Sequence, residues 1–277
     1  MLEIRNLTCG YENKIILQDV DFEMDESEFF GVIGPNGSGK TTFFRAITKI
    51  VNPVRGSILL DGFDINKMSC MELAKNISVV SQNANMDLMM TVEEFVFLGR
   101  IPHRKKFQFF ETRHDEKIAC DVMEITDTLK FRNRTLGSLS GGERHLACIA
   151  RSLCQEPRLL LLDEPTNQLD IAHQVRIMDL IKRMNRERGI TVIIVLHDLN
   201  LASEYCGRLM LFNNGKIHKI GMPEEVLTYQ TIEEVYKTMV LVEKNPVSKK
   251  PYVFLVSENN NVNNKKGESG FEGGEDM

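Results

Sequence analysis

One glycine-rich segment of this sequence carries the residue types and the spacing that phosphate chemistry requires. It fits the pattern G-x-x-x-x-G-K-[ST], and its residues are Gly34, Pro35, Asn36, Gly37, Ser38, Gly39, Lys40 and Thr41. Glycines allow backbone N–H groups to turn inward around a phosphate, and the start of a helix adds positive potential. Lys40 would reach phosphate oxygens, and the Thr41 hydroxyl would face Mg²⁺. The segment predicts a nucleotide site, against the alternative of a glycine-rich turn that binds nothing.

Two adjacent carboxylates, Asp163 and Glu164, follow the apolar run at residues 159–162. The carboxyl ends of buried strands are where open α/β sheets bind their ligands. Asp163 would order the shell of Mg²⁺, and Glu164 would polarise the attacking water. Taken alone, an Asp-Glu pair in this position could equally cap a helix. Together with the glycine-rich segment, the pair favours catalysis on a nucleotide.

A second glycine pair stands at the start of a helical pattern over residues 143–154. Ser140-x-x-Glu143 fits a capping box, the simpler interpretation. Gly141 and Gly142 in the first turn, however, each cost about 1 kcal/mol against alanine. Glycine there permits the close approach of an anion to the backbone. Because one chain needs a single phosphate cradle, Ser140, Gly141 and Gly142 would serve the nucleotide of a neighbouring chain.

The elements that must position these residues follow a βαβ pattern. Continuous apolar runs at residues 29–33, 159–162 and 190–196 predict buried parallel strands. Helical spacing at residues 40–50 and 173–187 separates them. The alternating segments 2–8 and 15–22 predict an antiparallel flap. The fold class is therefore α/β, with a parallel sheet core and an added antiparallel flap.

Between residues 91 and 154 the strand pattern disappears, and helical patterns replace it. Thr91-x-x-Glu94 is a capping box, and Ile118, Val122, Ile125 and Leu129 have helical spacing, which predicts an inserted helical subdomain. The basic and aromatic run 100–110 predicts a solvated loop with a packed aromatic patch. Residues 257–277 are rich in Asn, Gly and charged side chains, a composition that predicts disorder.

Length and composition exclude several classes of protein. The chain has 277 residues, with 34 Lys and Arg against 39 Asp and Glu and a net charge of −5, which argues against a nucleic-acid partner. Its apolar runs fall short of the ~20 residues that a membrane helix needs. The six cysteines show no C-x-x-C pair, and no apolar leader follows Met1, so we expect a reduced, cytosolic protein.

These motifs, in this order, resemble the ATP-binding subunit of an ABC transporter. The resemblance covers residues 2–240 and rests on 34–41, on Leu139 to Glu143 and on 159–164 with the following Pro-Thr-Asn-Gln-Leu-Asp. It implies a P-loop NTPase with a RecA-like core and assigns Thr42 to the nucleotide site. It further implies that Tyr11 stacks on adenine, that Gln82 contacts Mg²⁺ and water, that His197 is the switch histidine near the γ-phosphate, and that Asp170 lies at the dimer seam.

The same resemblance implies cofactors, partners and domain limits. We expect ATP and Mg²⁺ as cofactors, a homodimer of ATPase subunits, a separate transmembrane permease and, indirectly, a substrate-binding protein. The chain would work at the cytoplasmic face of the membrane, held there by the permease. The ATPase domain would span 1–240, with 1–83 and 155–240 as the nucleotide-binding core and 84–154 as the helical signature subdomain. Residues 241–256 would form a C-terminal extension.

Three further segments are similar to the importer branch for iron-siderophores, haem and cobalamin. They are the runs at 91–103, 196–202 and 221–228. Siderophore import is the leading interpretation, although these runs reflect the class of permease more than the substrate. The alternatives are another ABC importer, for a metal ion or other small solute, and a soluble ABC ATPase without a transport role.

Overall fold

The computed structural model describes residues 1–12, 14–81, 87–105, 108 and 110–257. The strands are β1 (Leu2–Tyr11), β2 (Lys14–Met24), β3 (Phe29–Ile33), β4 (Arg55–Leu60), β5 (Phe63–Asp64), β6 (Ile77–Val80), β7 (Leu159–Asp163), β8 (Thr191–Val195), β9 (Arg208–Asn213), β10 (Lys216–Gly221), β11 (Val240–Lys244) and β12 (Pro251–Leu255). The helices are α1 (Lys40–Ile47), α2 (Cys70–Asn76), α3 (Val92–Phe97), α4 (Arg113–Ile125), α5 (Gly141–Cys154), α6 (Ile171–Arg188), α7 (Leu199–Tyr205), α8 (Pro223–Val226) and α9 (Tyr229–Tyr236).

The central sheet orders six strands as β10-β9-β3-β8-β7-β6. Neighbours are parallel throughout except for the β9–β10 pair. The three apolar runs predicted as buried parallel strands are β3, β7 and β8, so the βαβ interpretation is confirmed. Since β3, β8 and β7 are adjacent and parallel, the segments that follow them emerge side by side at one edge. Those segments are residues 34–41, residue 197 and residues 163–164.

Both faces of this sheet are buried, which explains why its strands are apolar without alternation. In β7, Leu160 and Leu162 belong to one hydrophobic cluster, whereas Leu159 and Leu161 belong to the other. The first cluster joins the sheet to α4, α5 and α6. The second joins it to α1 and the flap. Alternate side chains of one strand therefore fix a helical layer on one face and the flap on the other.

The predicted antiparallel flap is confirmed and is larger than the sequence indicated. Strands β1 and β2 pair from Leu2↔Met24 to Tyr11↔Lys14, and β4 and β5 extend the sheet in the order β2-β1-β4-β5. Aromatic rings join the layers, with centroids of Phe22 and Phe30 4.7 Å apart. The phosphate-loop helix α1 is thereby wedged between flap and central sheet.

Within residues 91–154, the part of the chain that the structure describes consists of helices, 3₁₀ turns and loops, and it contains no strand apart from an isolated bridge between Thr91 and Thr135. Capping boxes start α3 at Thr91 and α4 at Thr112. The helical pattern extended too far at one point, because α4 ends at Ile125 and Leu129 begins a short 3₁₀ turn.

The prediction of a solvated loop at residues 100–110 was wrong for Arg100. This side chain is buried, 2.8 Å from Asp115 and 2.7 Å from Glu156, and it donates to the Cys154 carbonyl at 2.8 Å. A cation placed on the last carbonyls of a helix satisfies acceptors that have no partner within the helix. Arg100 therefore holds the end of α5.

A hairpin of β11 and β12 follows α9, and the sequence analysis missed it. It packs on α7, where the Asn200 side chain accepts from Val253 N at 2.7 Å and donates to Val253 O at 3.2 Å. The predicted disordered tail lies, from residue 258 onward, outside the described residues. No helix in the described part of the chain has both the length and the apolar character needed to cross a bilayer.

Candidate nucleotide site

The loop between β3 and α1 takes a backbone form that glycine permits. Gly34, Gly37 and Gly39 have φ of 144°, 76° and 111°. A Cβ at Gly34 would collide with the Phe212 carbonyl and lie 2.9 Å from Ser38 Oγ, and one at Gly39 would lie 2.5 Å from Leu17 Cδ2. At Gly37 a Cβ would meet nothing within 4 Å. Two of these glycines are required by packing as well as by φ.

Lys40 is folded into the centre of this loop. It is 5% exposed, and its Nζ donates to Gly34 O at 2.8 Å and to Pro35 O at 3.0 Å. Burial lowers the pKa of the Lys40 ammonium, and the negative charges of Glu164 and Asp163 oppose that shift. An ammonium has three donors, so the two bonds described here leave one for a phosphate oxygen. Pro35 and Asn36 form the outer rim of the loop, and Thr42 is buried beneath it in α1.

Asp163, Glu164 and His197 meet at the edge of the sheet beside Lys40. The His197 Nε2 and Glu164 Oε1 atoms are hydrogen-bonded, and Asn167 Nδ2 donates to Glu164 Oε2 at 3.2 Å. Glu164 has φ 54°, a left-handed conformation that is uncommon outside glycine and that ends the strand. Both carboxylate oxygens of Glu164 are therefore held in place, as a positioned base requires.

The Asp163 carboxylate has the character of a metal ligand. Its Oδ1 is buried and has no hydrogen-bond partner in the described residues. Burial raises the pKa of Asp163, and the charge of Glu164 raises it further, while Lys40 acts in the opposite sense. Thr41 lies on the first turn of α1 and is exposed. A carboxylate oxygen and a hydroxyl are hard oxygen ligands, and Mg²⁺ is usually held by one or two carboxylates together with substrate phosphates. The residues fit Mg²⁺.

Tyr11 lies at the end of β1, opposite the outer face of α1. Arg45 Nη1 donates to the Tyr11 hydroxyl at 3.0 Å, and the guanidinium lies 5.8 Å from the centre of the ring. The ring is 39% exposed, so a base could stack on it.

Ser140, Gly141 and Gly142 form the start of α5. Ser140 Oγ accepts from Glu143 N at 3.3 Å, and Glu143 Oε2 accepts from Ser140 N at 2.8 Å, which is the predicted capping box. A Cβ at Gly141 would face open space. A Cβ at Gly142 would instead collide with the ring of His173. The second glycine thus has a packing role that the sequence analysis did not foresee.

Of the predicted site residues, the structure brings together residues 34–42, Asp163, Glu164 and His197. Gln82, which the resemblance assigns to Mg²⁺ and water, lies outside the described residues. His173 was missed. Its signal in the sequence was its place three residues after Asp170, the spacing of an N-cap side chain and its partner.

The fold and the site define a P-loop ATPase built on a parallel sheet, with a flap on one face and helices on the other. The family model described as ABC transporter matches residues 17–167, and the chain belongs to this family. The expectation drawn from the motifs is confirmed.

Two relatives are similar over nearly the whole chain. The ferric enterobactin transport ATP-binding protein FepC of Escherichia coli is 37% identical over 89% of this chain and 91% of its own length. The petrobactin import ATP-binding protein FpuC of Bacillus anthracis is 36% identical over 91% of this chain and 92% of its own length. Both are named as ATP-binding proteins of the same family, and this chain is accordingly an ABC ATPase.

A solved structure supports the same assignment. The ATP-binding cassette MJ0796, solved as a dimer in a post-hydrolysis state with ADP and Pi, has a TM-score of 0.70 and 30% identity. The match covers 80% of this chain and 99% of that one. The similarity therefore covers an entire ATP-binding cassette.

Proposed function

We propose that this chain hydrolyses ATP with Mg²⁺ at residues 34–42, Asp163, Glu164 and His197, and that the reaction powers import of an iron-siderophore through a separate permease. The observation that carries the proposal is the cluster at the edge of the sheet. A buried lysine, a glutamate held through both carboxylate oxygens, and a buried carboxylate oxygen without a partner among the described residues lie side by side there. The ATPase domain would span 1–240, and residues 84–154 would be its signature-bearing helical subdomain.

Each residue of the cluster has a distinct part in the reaction. The backbone amides of the loop and Lys40 would bind the β- and γ-phosphates, with Lys40 adding a charge-assisted hydrogen bond. Glu164 would accept a proton from the attacking water, and His197, which touches it, would keep that carboxylate oriented near the γ-phosphate. Thr41, Asp163 and Gln82 would hold Mg²⁺, which when bound neutralises charge on the phosphate oxygens.

The substitution Glu164→Gln tests the catalytic assignment. We expect ATP binding to persist and turnover to fall by at least about 100-fold, because the amide keeps the shape but cannot take a proton. The measurements are steady-state phosphate release and retained nucleotide. The matched control is Glu116→Gln, an exposed carboxylate on α4, which should leave both unchanged. Near-normal hydrolysis by Glu164→Gln would remove Glu164 from the catalytic role.

The homodimer and the permease belong to the same proposal. FepC and FpuC are named as transport and import ATP-binding proteins, and MJ0796 was solved as a dimer. A permease would hold this chain at the cytoplasmic face of the membrane. Co-purification of the chain with a multi-span protein encoded beside it tests this. Recovery of the chain without any membrane partner would favour a soluble ABC ATPase without a transport role.

The substrate is the part of the proposal that rests on the relatives. FepC is named for the transport of ferric enterobactin and FpuC for the import of petrobactin. The test is uptake of a labelled ferric siderophore, haem and cobalamin by cells lacking this chain, with the chain or its Glu164→Gln variant restored. Loss of siderophore uptake that only the unmodified chain restores is expected. Loss confined to haem or cobalamin would overturn the substrate and leave the ATPase assignment intact.

A further inference from the structure

The two glycines that start α5 have different surroundings. A Cβ at Gly141 would meet nothing within 4 Å. A Cβ at Gly142 would collide with His173 Cδ2, and it would lie 2.7 Å from Nε2 and 3.0 Å from Cγ of the same ring. The ring edge therefore rests directly on the Gly142 α-carbon. Only Gly141 leaves its α-carbon open to an incoming phosphate.

The Asp170 carboxylate holds the His173 ring at this contact. Asp170 is the N-cap of α6, and its Oδ1 accepts from His173 N at 2.9 Å. The same carboxylate is hydrogen-bonded to His173 Nδ1, at 2.9 Å from Oδ1 and 2.8 Å from Oδ2. A carboxylate that binds Nδ1 fixes the ring and turns Nε2 outward. Asp170 thereby orients the imidazole so that its Nε2 edge contacts α5 at Gly142.

Two further contacts join α6 to the residues that follow α4 and to its last turn. Arg176 is paired with Asp127, and Arg183 Nη2 donates to the Ile125 carbonyl at 2.9 Å. His173, Arg176 and Arg183 share one face of the helix, since they are spaced by three and seven residues. The helix that carries this face, α6, comes next in the chain after β7 and the site carboxylates. These contacts join α6 to the helical segment, residues 91–154, that also contains Ser140 to Gly142 of the same chain.

We propose that His173 is a positioning residue that sets the place of the signature segment, residues 140–142, and that Gly142 is glycine to accommodate it. This inference rests on the proposed function as a homodimer and on the expectation, drawn from the sequence, that residues 140–142 serve the nucleotide of a neighbouring chain. Gly142 then transmits the position of α6 to the signature, and Gly141 provides the approach for the phosphate. The competing explanation is that Gly142, like Gly141, is glycine because the phosphate itself comes close to it.

A double-mutant cycle separates these explanations, because residues that act through contact are not additive. All variants carry Glu164→Gln, so that ATP is trapped and not hydrolysed. The measurement is the ATP concentration that gives half-maximal trapped dimer for the parent, Gly142→Ala, His173→Ala and the double variant. The matched control cycle replaces Gly142→Ala by Gly141→Ala.

We expect Gly142→Ala to raise that concentration about tenfold and His173→Ala to raise it about threefold. In the His173→Ala background, Gly142→Ala should add less than about twofold, because the ring it collides with is gone. The difference between the two backgrounds is within the range of measured couplings. Gly141→Ala should cost the same factor in both backgrounds. An equal penalty for Gly142→Ala in both backgrounds would overturn the proposal, and so would an unchanged concentration for His173→Ala.

Two more measurements keep this test apart from folding and from the proposed function. Binding of a fluorescent ATP analogue to the single chain should be unchanged in every variant, and its loss in His173→Ala would overturn a positioning role. If the Glu164→Gln parent traps no ATP, the proposed function fails by itself. The unfolding midpoints of the same four proteins then report the contact, where non-additive shifts support it and additive shifts contradict it.

Discussion

Two α-helices in the described part of the chain, α1 and α5, start with glycines, and these two starts are built in opposite ways. At α1 the N-cap is Gly39 with φ 111°, no side chain caps the helix, and the first turn holds no acidic residue. At α5 the N-cap is Ser140 in an extended conformation, and Glu143 closes a capping box on it. A helix start whose first amides lack side-chain partners is a ready anion site. A helix start whose backbone amides are already partly capped has fewer free N–H donors for an anion.

The difference shows which of the two segments can hold a phosphate unaided. The α1 start brings its own cation, because Lys40 is buried in the loop. The start of α5 is fixed by its capping box and by the His173 ring at Gly142. The C-terminal end of the same helix is fixed by Arg100. The first is shaped to bind and the second to be held still. A rigid second segment suits a role in covering a phosphate that another chain has already bound.

Mixed dimers give the largest effect that could break this comparison. In a Glu164→Gln background, Lys40→Ala loses a direct charge on the phosphates, and Ser140→Arg blocks the second segment. Each should fail alone to trap ATP. A mixed dimer keeps one site that joins an intact Lys40 to an intact Ser140. If a single site can hold the dimer closed, mixing the two should recover trapped ATP approaching one per mixed dimer.

The controls for the mixed dimer are Lys117→Ala, an exposed lysine on α4, and the Glu164→Gln parent, both of which should trap ATP fully. Verified mixed dimers that trap none would mean that residues 140–142 act within their own chain or that the two sites close only together. Recovery would exclude an action within the same chain.

Alanine substitutions at one glycine of each segment give the next largest effect. Gly34→Ala places a Cβ against the Phe212 carbonyl at a φ of 144°, so we expect ATP binding to the single chain to weaken at least about tenfold. Gly141→Ala meets open space and gains helix propensity, and it should leave that binding unchanged. Titration with a fluorescent ATP analogue measures both. Equal losses would mean that the two helix starts do not differ in kind.

The substitution Tyr11→Ala tests the contact with the adenine base. Such a contact is expected beside the loop at residues 34–41 and not at residues 140–142. Loss of a stacking ring should weaken ATP binding by several-fold, because an aromatic platform is worth about 1–3 kcal/mol per base. Tyr11→Phe keeps the ring and removes the bond from Arg45, so it should bind nearly as the parent does. Inorganic triphosphate, which has no base, should bind both variants equally. A triphosphate affinity that falls with Tyr11→Ala would contradict stacking.

The smallest expected effect is a pair of opposite changes in thermal stability. The pKa of Asp163 is raised by burial, so its ionised form costs stability near neutral pH and that cost disappears as pH falls through the raised pKa. Asp163→Asn should raise the unfolding midpoint of the nucleotide-free protein at pH 7 by a few degrees or less, with a smaller gain in acid.

Glu143 should respond with the opposite sign. Its pKa is lowered, chiefly by the bond from Ser140 N, so it contributes stability above its ordinary pKa that is lost as pH falls through the lowered value. Glu143→Gln should therefore lower the midpoint slightly at pH 7 and have no effect in strong acid. Calorimetry from about pH 2 to about pH 7 measures both carboxylates, because the Glu143 contribution is lost below its ordinary pKa. Midpoint changes of the same sign would contradict the contrast between the two segments.

The sequence determined the chemistry and the main strands, because both depend on local pattern. The loop at 34–41 needs particular residues at fixed spacing, and continuous apolar runs such as 159–162 are what a strand buried on both faces requires. The capping boxes at Thr91 and Ser140 were equally readable, since a cap involves residues three apart. The order of apolar runs and helical patterns set the fold class but not the limits of every element.

The tertiary structure alone decided which distant residues touch. Arg100 was expected in solvent, yet it is buried on the end of α5, because its partner Glu156 is 56 residues away and leaves no periodic signal. The hairpin of β11 and β12 was missed because each strand is short and gains its stability from packing on α7. Gly142 looked like its neighbour Gly141 in the sequence. Only the fold placed the His173 ring against Gly142 and left open space beside Gly141. That contact depends on where the start of α6 lies relative to the start of α5, and not on any residue nearby in the chain.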